Sequence, residues 1–105
     1  MSEQLQDDSG IHVLLVDDNE DQAFIAIETL SQDGRIEVTD VISGQACLDK
    51  LDENTYDLVI LDYSMPQMTG MEVLRKMRSS GIDVPVIMVT GYGDERVAVD
   101  AMKLG

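Results

Sequence analysis

The sequence of 105 residues predicts an α/β fold in which a parallel β-sheet carries helices on both faces. Four short apolar segments rich in β-branched residues alternate with segments whose apolar residues recur every three or four positions. Such alternation of strands and helices is typical of parallel sheets joined by right-handed crossovers. The chain has room for one hydrophobic core, so we expect a single domain.

The first predicted strand, Ile11–Val16, is an apolar run that ends at two acidic residues, Asp17 and Asp18. The first helix follows, and Asn19 with Gln22 at its start resembles a capping box. Apolar residues recur at helical spacing along this helix and predict its inner face. They are Ala23, Ala26, Ile27 and Leu30.

The second predicted strand, residues 36–42, alternates apolar and polar side chains, which is typical of a strand near the edge of a sheet. Ser43 is suited to cap the second helix, which ends about Asn54. Cys47 lies on the apolar side of this helix, and we expect it to pack in the core.

The third predicted strand, residues 58–61, organises the rest of the chain. Its four apolar residues predict a strand buried on both faces, and the run ends at Asp62. Pro66 fixes one φ angle and Gly70 permits a turn, so we expect a rigid loop that holds the carboxylate in place. A third helix, residues 71–79, should then bury one apolar face.

The fourth predicted strand, residues 84–90, ends at the hydroxyl of Thr90. A last helix, about residues 95–104, follows a glycine-rich connection. Residues 1–10 are polar and acidic without a pattern, which predicts a short disordered lead-in before a domain over residues 11–105.

The composition limits the functions that this chain can have. It contains 21 acidic and 7 basic side chains, a net charge of −14, which disfavours nucleic-acid binding and suits basic protein partners or divalent cations. One cysteine and one histidine exclude a disulfide framework and disfavour a zinc site. The sequence shows neither a membrane span nor a signal peptide, so we expect a cytoplasmic protein without membrane contact.

The ends of the predicted strands carry the candidate site. In a parallel sheet, Asp17, Asp18, Asp62 and Thr90 all lie at the edge where α/β proteins bind ligands. Carboxylates at short range repel one another, so they hold a proton or bind a cation. Mg²⁺ suits them, because it takes carboxylate and carbonyl oxygens and leaves room for phosphate. Helix capping would account for one such acid but explains less of an adjacent pair.

These residues strongly resemble the receiver domain of two-component response regulators, the CheY-like family with a flavodoxin-like fold. The resemblance rests on Asp17-Asp18 after the first strand, on Asp-Tyr-Ser-Met-Pro-Gln-Met-Thr-Gly over residues 62–70, and on Val-Thr-Gly over residues 89–91. It covers residues 11–105 in the right order. It implies a doubly wound parallel sheet with the strand order 2-1-3-4.

The resemblance also implies a function. Asp62 would accept a phosphoryl group from a phosphohistidine on a sensor histidine kinase or a histidine phosphotransfer protein, and the change would switch partner binding. Asp18, the Asp62 side chain and the backbone carbonyl of Ser64 would bind Mg²⁺, with Asp17 acting largely through water. Thr90 would contact the phosphoryl group. By the same resemblance, the chain would be a signalling module that catalyses its own phosphorylation and dephosphorylation.

The chain departs from this family at its C-terminal end. Receiver domains normally continue into a fifth strand with a phosphoryl-contacting Lys and into a fifth helix, whereas this sequence stops at Gly105. We therefore expect an incomplete domain, which is either a fragment or completed by another chain. The strand over residues 86–89 would then have an open apolar edge suited to self-association.

Two alternatives remain open. A haloacid-dehalogenase-like phosphatase would use Asp17 as its nucleophile and Thr90 to bind phosphate, although its motif wants an Asp where this chain has Asn19. A pseudo-receiver would bind proteins without any phosphate. A pseudo-receiver is expected to lack Asp62 or the pair Asp17-Asp18, but this chain has all three residues.

Overall fold

The computed structural model describes residues 10–89 of the chain. Strands and helices alternate within this range, and none of its helices is both long and apolar enough to cross a membrane. The predicted last helix and residues 1–9 of the predicted lead-in lie outside it. The elements are β1 (Ile11–Val16), α1 (Glu20–Leu30), β2 (Ile36–Val41), α2 (Gly44–Glu53), β3 (Leu58–Asp62), α3 (Gly70–Ser79) and β4 (Val86–Val89).

The described strands form one parallel sheet in the order β2-β1-β3-β4, which confirms the predicted order 2-1-3-4. Among the described strands, β2 lies at one edge of the sheet, as its alternating pattern predicted. The register pairs Val16 with both Val41 and Leu61, and it pairs Asp62 with Val89. The C-terminal ends of all these strands therefore lie at the same edge of the sheet.

One face of the sheet packs against α2 and α3 and forms the main hydrophobic core. Cys47 of α2 is buried there, as predicted. Burial raises the pKa of its thiol to about 12, so the thiol stays protonated and packs as a small apolar group. The largest fully buried side chains of this core are Leu14, Val16, Val59, Leu61, Val73, Leu74 and Met77.

Among residues 10–89, fewer elements pack against the other face of the sheet. Helix α1 packs there against β2, and the predicted inner face of α1 is confirmed, with Ala23 buried and Ala26, Ile27 and Leu30 half-buried. Strand β3 differs from the prediction, because Leu58 and Ile60 are only half-buried on this face. Side chains alternate along a strand, so these two residues point away from the core of α2 and α3.

The predicted N-cap residues begin the first two helices, but the capping box expected at Asn19 and Gln22 is only half formed, because the Asn19 N–H donates to Asp17 and not to Gln22. The Asn19 side chain accepts a hydrogen bond from the Gln22 N–H at 3.0 Å, and the Ser43 hydroxyl accepts one from the Ala46 N–H at 3.1 Å. Both caps satisfy a backbone donor that the first helical turn leaves without an intrahelical partner. The Asn19 cap, at the start of α1, also fixes the chain immediately after the acidic residues Asp17 and Asp18.

Candidate functional site

Three carboxylates meet at the C-terminal edge of the sheet. Asp17 and Asp18 follow β1, Asp62 is the last residue of β3, and one oxygen atom from each carboxylate lies within 4.8 Å of the others. The parallel register brings them together, because Val16 and Leu61 are paired neighbours immediately before Asp17 and Asp62. The fold therefore brings these three acids together, as the sequence predicted.

Asp17 is the most firmly held of the three acids. Its side chain is almost buried, with 9% of the residue exposed. Its backbone N–H donates to the Val41 oxygen at 3.1 Å, and its Oδ1 atom accepts the Asn19 N–H at 2.9 Å. The backbone thus fixes the direction of the Asp17 carboxylate. Asp18, in contrast, is exposed to solvent and accessible to a ligand.

The charge of the Asp62 carboxylate is disfavoured by its surroundings. Burial and the neighbouring Asp17 charge raise the pKa of Asp62 to about 6, and Asp18 adds to the effect. The backbone N–H of Ser64 donates to the carboxylate and opposes this shift. The Asp17 carboxyl group is also placed to share a proton with Asp62, which further favours the protonated form. Such a cluster binds a proton or a cation near neutral pH.

The loop behind Asp62 is fixed by backbone hydrogen bonds. The Tyr63 N–H donates to the Val89 oxygen, and the Tyr63 oxygen accepts the Gly70 N–H, both at 2.9 Å. The Met68 N–H donates to the Pro66 oxygen at 2.7 Å and closes a three-residue turn. These hydrogen bonds are consistent with a well-defined loop, while its rigidity stays a prediction.

The conformation of this loop differs from the prediction in one respect. The turn is made by Gln67, which has a φ of 70°, and not by Gly70. Gly70 is required for space instead, since a Cβ atom there would meet the backbone of Asp62 and Tyr63. Residues other than glycine rarely adopt a positive φ, and the sequence does not indicate which of them will do so. The turn was therefore predicted at Gly70 instead of Gln67.

A complete capping box, which was not among the predicted features, anchors the start of α3. The Thr69 hydroxyl accepts the Glu72 N–H at 3.3 Å, and the Glu72 carboxylate accepts the Thr69 N–H at 2.8 Å. The spacing of Thr69 and Glu72 is the usual signal for this motif and was available in the sequence. The capping box fixes the end of the loop that begins at Asp62.

The structure thus brings together Asp17, Asp18 and Asp62 from the predicted site. Ser64 lies beside them and contacts Asp62 through its N–H, while its carbonyl stays a predicted ligand. Thr90 lies outside the described residues. Val89, the residue before it, pairs with Asp62 across the sheet.

Comparison with known proteins identifies the family of this chain. The family model of the response regulator receiver domain matches residues 13–105. The chain belongs to this family. The receiver domain is 40% identical over 70 residues to the regulatory protein LuxO of Vibrio vulnificus, which covers 67% of this chain and 16% of LuxO. It is 33% identical over 96 residues to the chemotaxis protein CheY1 of Helicobacter pylori, which covers 89% of this chain and 77% of CheY1.

Solved structures of response regulators have the same fold as this receiver domain. A response regulator receiver protein from Pseudomonas putida is 30% identical, with a TM-score of 0.83 over 91% of this chain and 80% of that protein. The response regulator TrrA from Thermotoga maritima, solved in complex with Mg²⁺-BeF, is also 30% identical, with a TM-score of 0.79 over 90% and 81% of the two chains. The chain spans only about one sixth of the LuxO proteins that it matches, as 16% of their length is covered.

Proposed function

We propose that this receiver domain accepts a phosphoryl group on Asp62 from a phosphohistidine of a sensor histidine kinase or a histidine phosphotransfer protein, in a Mg²⁺-dependent reaction that switches partner binding. The observation that carries this proposal is the convergence of three carboxylates within 4.8 Å at one edge of the sheet. Membership of the response regulator family supports it, because that family implies such histidine-phosphorylated partners.

The donor atoms at this edge fit a hard divalent cation. Carboxylate and carbonyl oxygens are the ligands that Mg²⁺ prefers. We assign Asp18, the Asp62 side chain and the Ser64 carbonyl as direct ligands. Asp17 would act through water, since its Oδ1 atom already accepts the Asn19 N–H. The bound ion would neutralise negative charge on Asp62 and on the incoming phosphoryl oxygens. The similar TrrA was solved in complex with Mg²⁺-BeF, which supports Mg²⁺ as the cation.

The proposed transfer places specific demands on Asp62. One of its carboxylate oxygens attacks phosphorus, a P–O bond forms, the P–N bond to histidine breaks, and the imidazole leaves with the electron pair. A carboxylate is a weak nucleophile, so the rate must come from alignment and from charge neutralisation. Its position at the end of β3 and the hydrogen bond from Ser64 limit the directions in which Asp62 can point. Thr90 is proposed to contact the phosphoryl group.

The alternative with Asp17 as the nucleophile of a haloacid-dehalogenase-like phosphatase has less support. Asp17 is almost buried, and the Asn19 N–H occupies its Oδ1 atom, whereas Asp62 is half-buried. A pseudo-receiver that binds partners without phosphate is the second alternative. The proposal places the phosphoryl group on Asp62, the phosphatase would carry it on Asp17, and the pseudo-receiver would carry none. One experiment therefore separates the three.

Intact-mass spectrometry of the chain tests the proposal. Incubation with a small-molecule phosphodonor should add one phosphoryl group when Mg²⁺ is present and none when a chelator removes it. The adduct should vanish in Asp62→Asn and persist in Asp52→Asn, a matched change on the exposed surface of α2. An adduct that survives Asp62→Asn but is lost in Asp17→Asn would favour the phosphatase. A folded protein that never gains an adduct would favour the pseudo-receiver.

Two further parts of the proposal concern the surroundings of this domain. Among the described residues, β4 pairs only with β3, and its apolar side chains Ile87 and Val89 are 52% and 46% exposed. We propose that the outer side of β4 supports self-association, which sedimentation over a range of concentrations tests.

The cytoplasmic location expected from the sequence stays a prediction.

A further inference from the structure

A shallow groove lies between α1 and the C-terminal end of β2, beside the acidic site. Phe24 and Ile27 of α1 and Ile42 after β2 supply its apolar wall. Its volume is about 200 Å³, while a cavity of roughly 150 Å³ is known to hold a benzene-sized group. The groove therefore has room for one large side chain of another molecule and not for a whole helix.

The apolar side chains of this groove are open to solvent. Phe24, the only phenylalanine of the chain, and Ile42 are each 63% exposed. Scattered exposed apolar residues are common, but two large ones that line the same concave surface are typical of an interaction site. Contact with another apolar side chain would remove both from water.

Carboxylates border the apolar wall. Glu20 of α1, Asp40 of β2 and Asp17 of the acidic site all line the groove, and none of its lining residues is basic. Among residues 10–89, no ion pair is found for Glu20 or Asp40. The groove thus combines an apolar wall with a border of negative charge that no described basic side chain neutralises.

We propose that this groove is an interaction surface for a protein segment that inserts one large apolar side chain next to a lysine or an arginine. The negative charge around the groove determines which class of partner can bind there. In a symmetric dimer a second copy would bring its own Glu20 and Asp40 against these carboxylates. Nucleic acids and anionic lipids are repelled by the net charge of −14. A basic segment of a partner is attracted, and its apolar side chain fills the groove.

Binding of a designed peptide to the full chain tests this surface. The probe is a short helical peptide with one tryptophan between two arginines, and the matched peptide has glutamates in place of the arginines. In amide NMR spectra of the ¹⁵N-labelled chain, the arginine peptide should shift the signals of Phe24, Ile27 and Ile42 in a saturable way. The glutamate peptide should not shift them.

Matched variants assign the binding to the groove. Phe24→Ser should weaken peptide binding about tenfold, since it removes the apolar wall. Ile25→Ser should leave affinity unchanged, because Ile25 is 64% exposed but does not line the groove. Asp40→Asn should also weaken binding, whereas Glu28→Gln, an exposed change on α1 outside the groove, should not.

Three outcomes would overturn the inference. Equal losses in Phe24→Ser and Ile25→Ser, or shifts spread evenly over the acidic surface, would show non-specific attraction. Concentration-dependent shifts without peptide, abolished by Phe24→Ser, would show that a second copy fills the groove. Because Asp40→Asn leaves the apolar wall intact, it separates loss of binding from loss of folding. The titration contains neither phosphodonor nor Mg²⁺, so its result is independent of phosphorylation at Asp62.

Discussion

A Cβ atom at position 70 would lie 2.6 Å from the backbone oxygen of Asp62, so Gly70 and Asp62 are in direct backbone contact. The same atom would lie 2.8 Å from the Met88 sulfur and 2.9 Å from the Tyr63 Cα atom. Cβ atoms in proteins essentially never approach other atoms so closely. The first residue of α3 therefore determines how near this helix comes to the acidic site.

Gly70→Ala should destabilise the protein by about 2 kcal/mol, because the added methyl group overpacks a site walled by backbone. Urea denaturation measures this as a lower midpoint. The matched control is Gly34→Ala, where no heavy atom lies within 4 Å of the new Cβ atom. This control should change the free energy of unfolding by less than about 1 kcal/mol. Similar losses in both variants would contradict the packing role of Gly70.

Gln67 holds the loop in a left-handed conformation, and a β-branched residue there should be costly. Its φ of 70° brings Cβ close to the backbone, and branching adds a second clash. Gln67→Val should lower the free energy of unfolding by about 1 kcal/mol or more. Gln67→Gly, which tolerates this conformation, should be no less stable than the parent. Thermal unfolding of the three proteins gives the comparison, and equal stability of all three would contradict it.

The metal-free protein should lose stability as the pH rises through the range in which Asp62 ionises. Its pKa is raised to about 6 in the folded protein by burial and by Asp17, against about 3.9 in an unfolded chain. Between these values the folded state binds more protons than the unfolded state, so the free energy of unfolding falls with rising pH. Above the pKa of Asp62 in the folded protein, the free energy of unfolding does not fall further on account of this group.

Asp62→Asn removes this loss. At about pH 7.5 in chelator, the variant should be more stable than the parent by about 1 kcal/mol, a value that allows for screening of a half-exposed group. At about pH 3, below both pKa values, the two proteins should differ little, since Asp62 then carries its proton in most molecules of both the folded and the unfolded state. Urea denaturation at both pH values measures the effect. A stability difference that does not change with pH would contradict the role of the Asp62 charge.

Removal of one acid of the cluster should weaken Mg²⁺ binding. Asp18→Asn replaces an exposed carboxylate by a neutral amide within 4.8 Å of the other two acids, so we expect at least a tenfold lower affinity, on the order of 1.4 kcal/mol. Asp21→Asn is the control, because Asp21 is exposed in the first turn of α1 but outside the cluster. Calorimetric titration with Mg²⁺ compares them. Equal losses would indicate a general effect of net charge rather than a ligand.

Much of the fold could be predicted because its signals are local. The apolar runs that stop at Asp17 and Asp62 indicate where two strands end. The alternation of strands and helices indicates a parallel sheet, and in such a sheet both acids lie at the C-terminal ends of the strands. The caps at Asn19 and Ser43 were equally local and are confirmed. The capping box at Thr69 was local too but was overlooked.

The sequence by itself determined which residues have the chemistry of the site and at which strand ends they stand, because both depend on residue type and on short-range periodicity. Only the tertiary structure decided how those residues behave. The raised pKa of Asp62 needs the distances to Asp17 and Asp18, and the need for glycine at position 70 comes from the backbone of a neighbouring strand. Charge interaction and steric exclusion act through space, so residues distant in the chain set them.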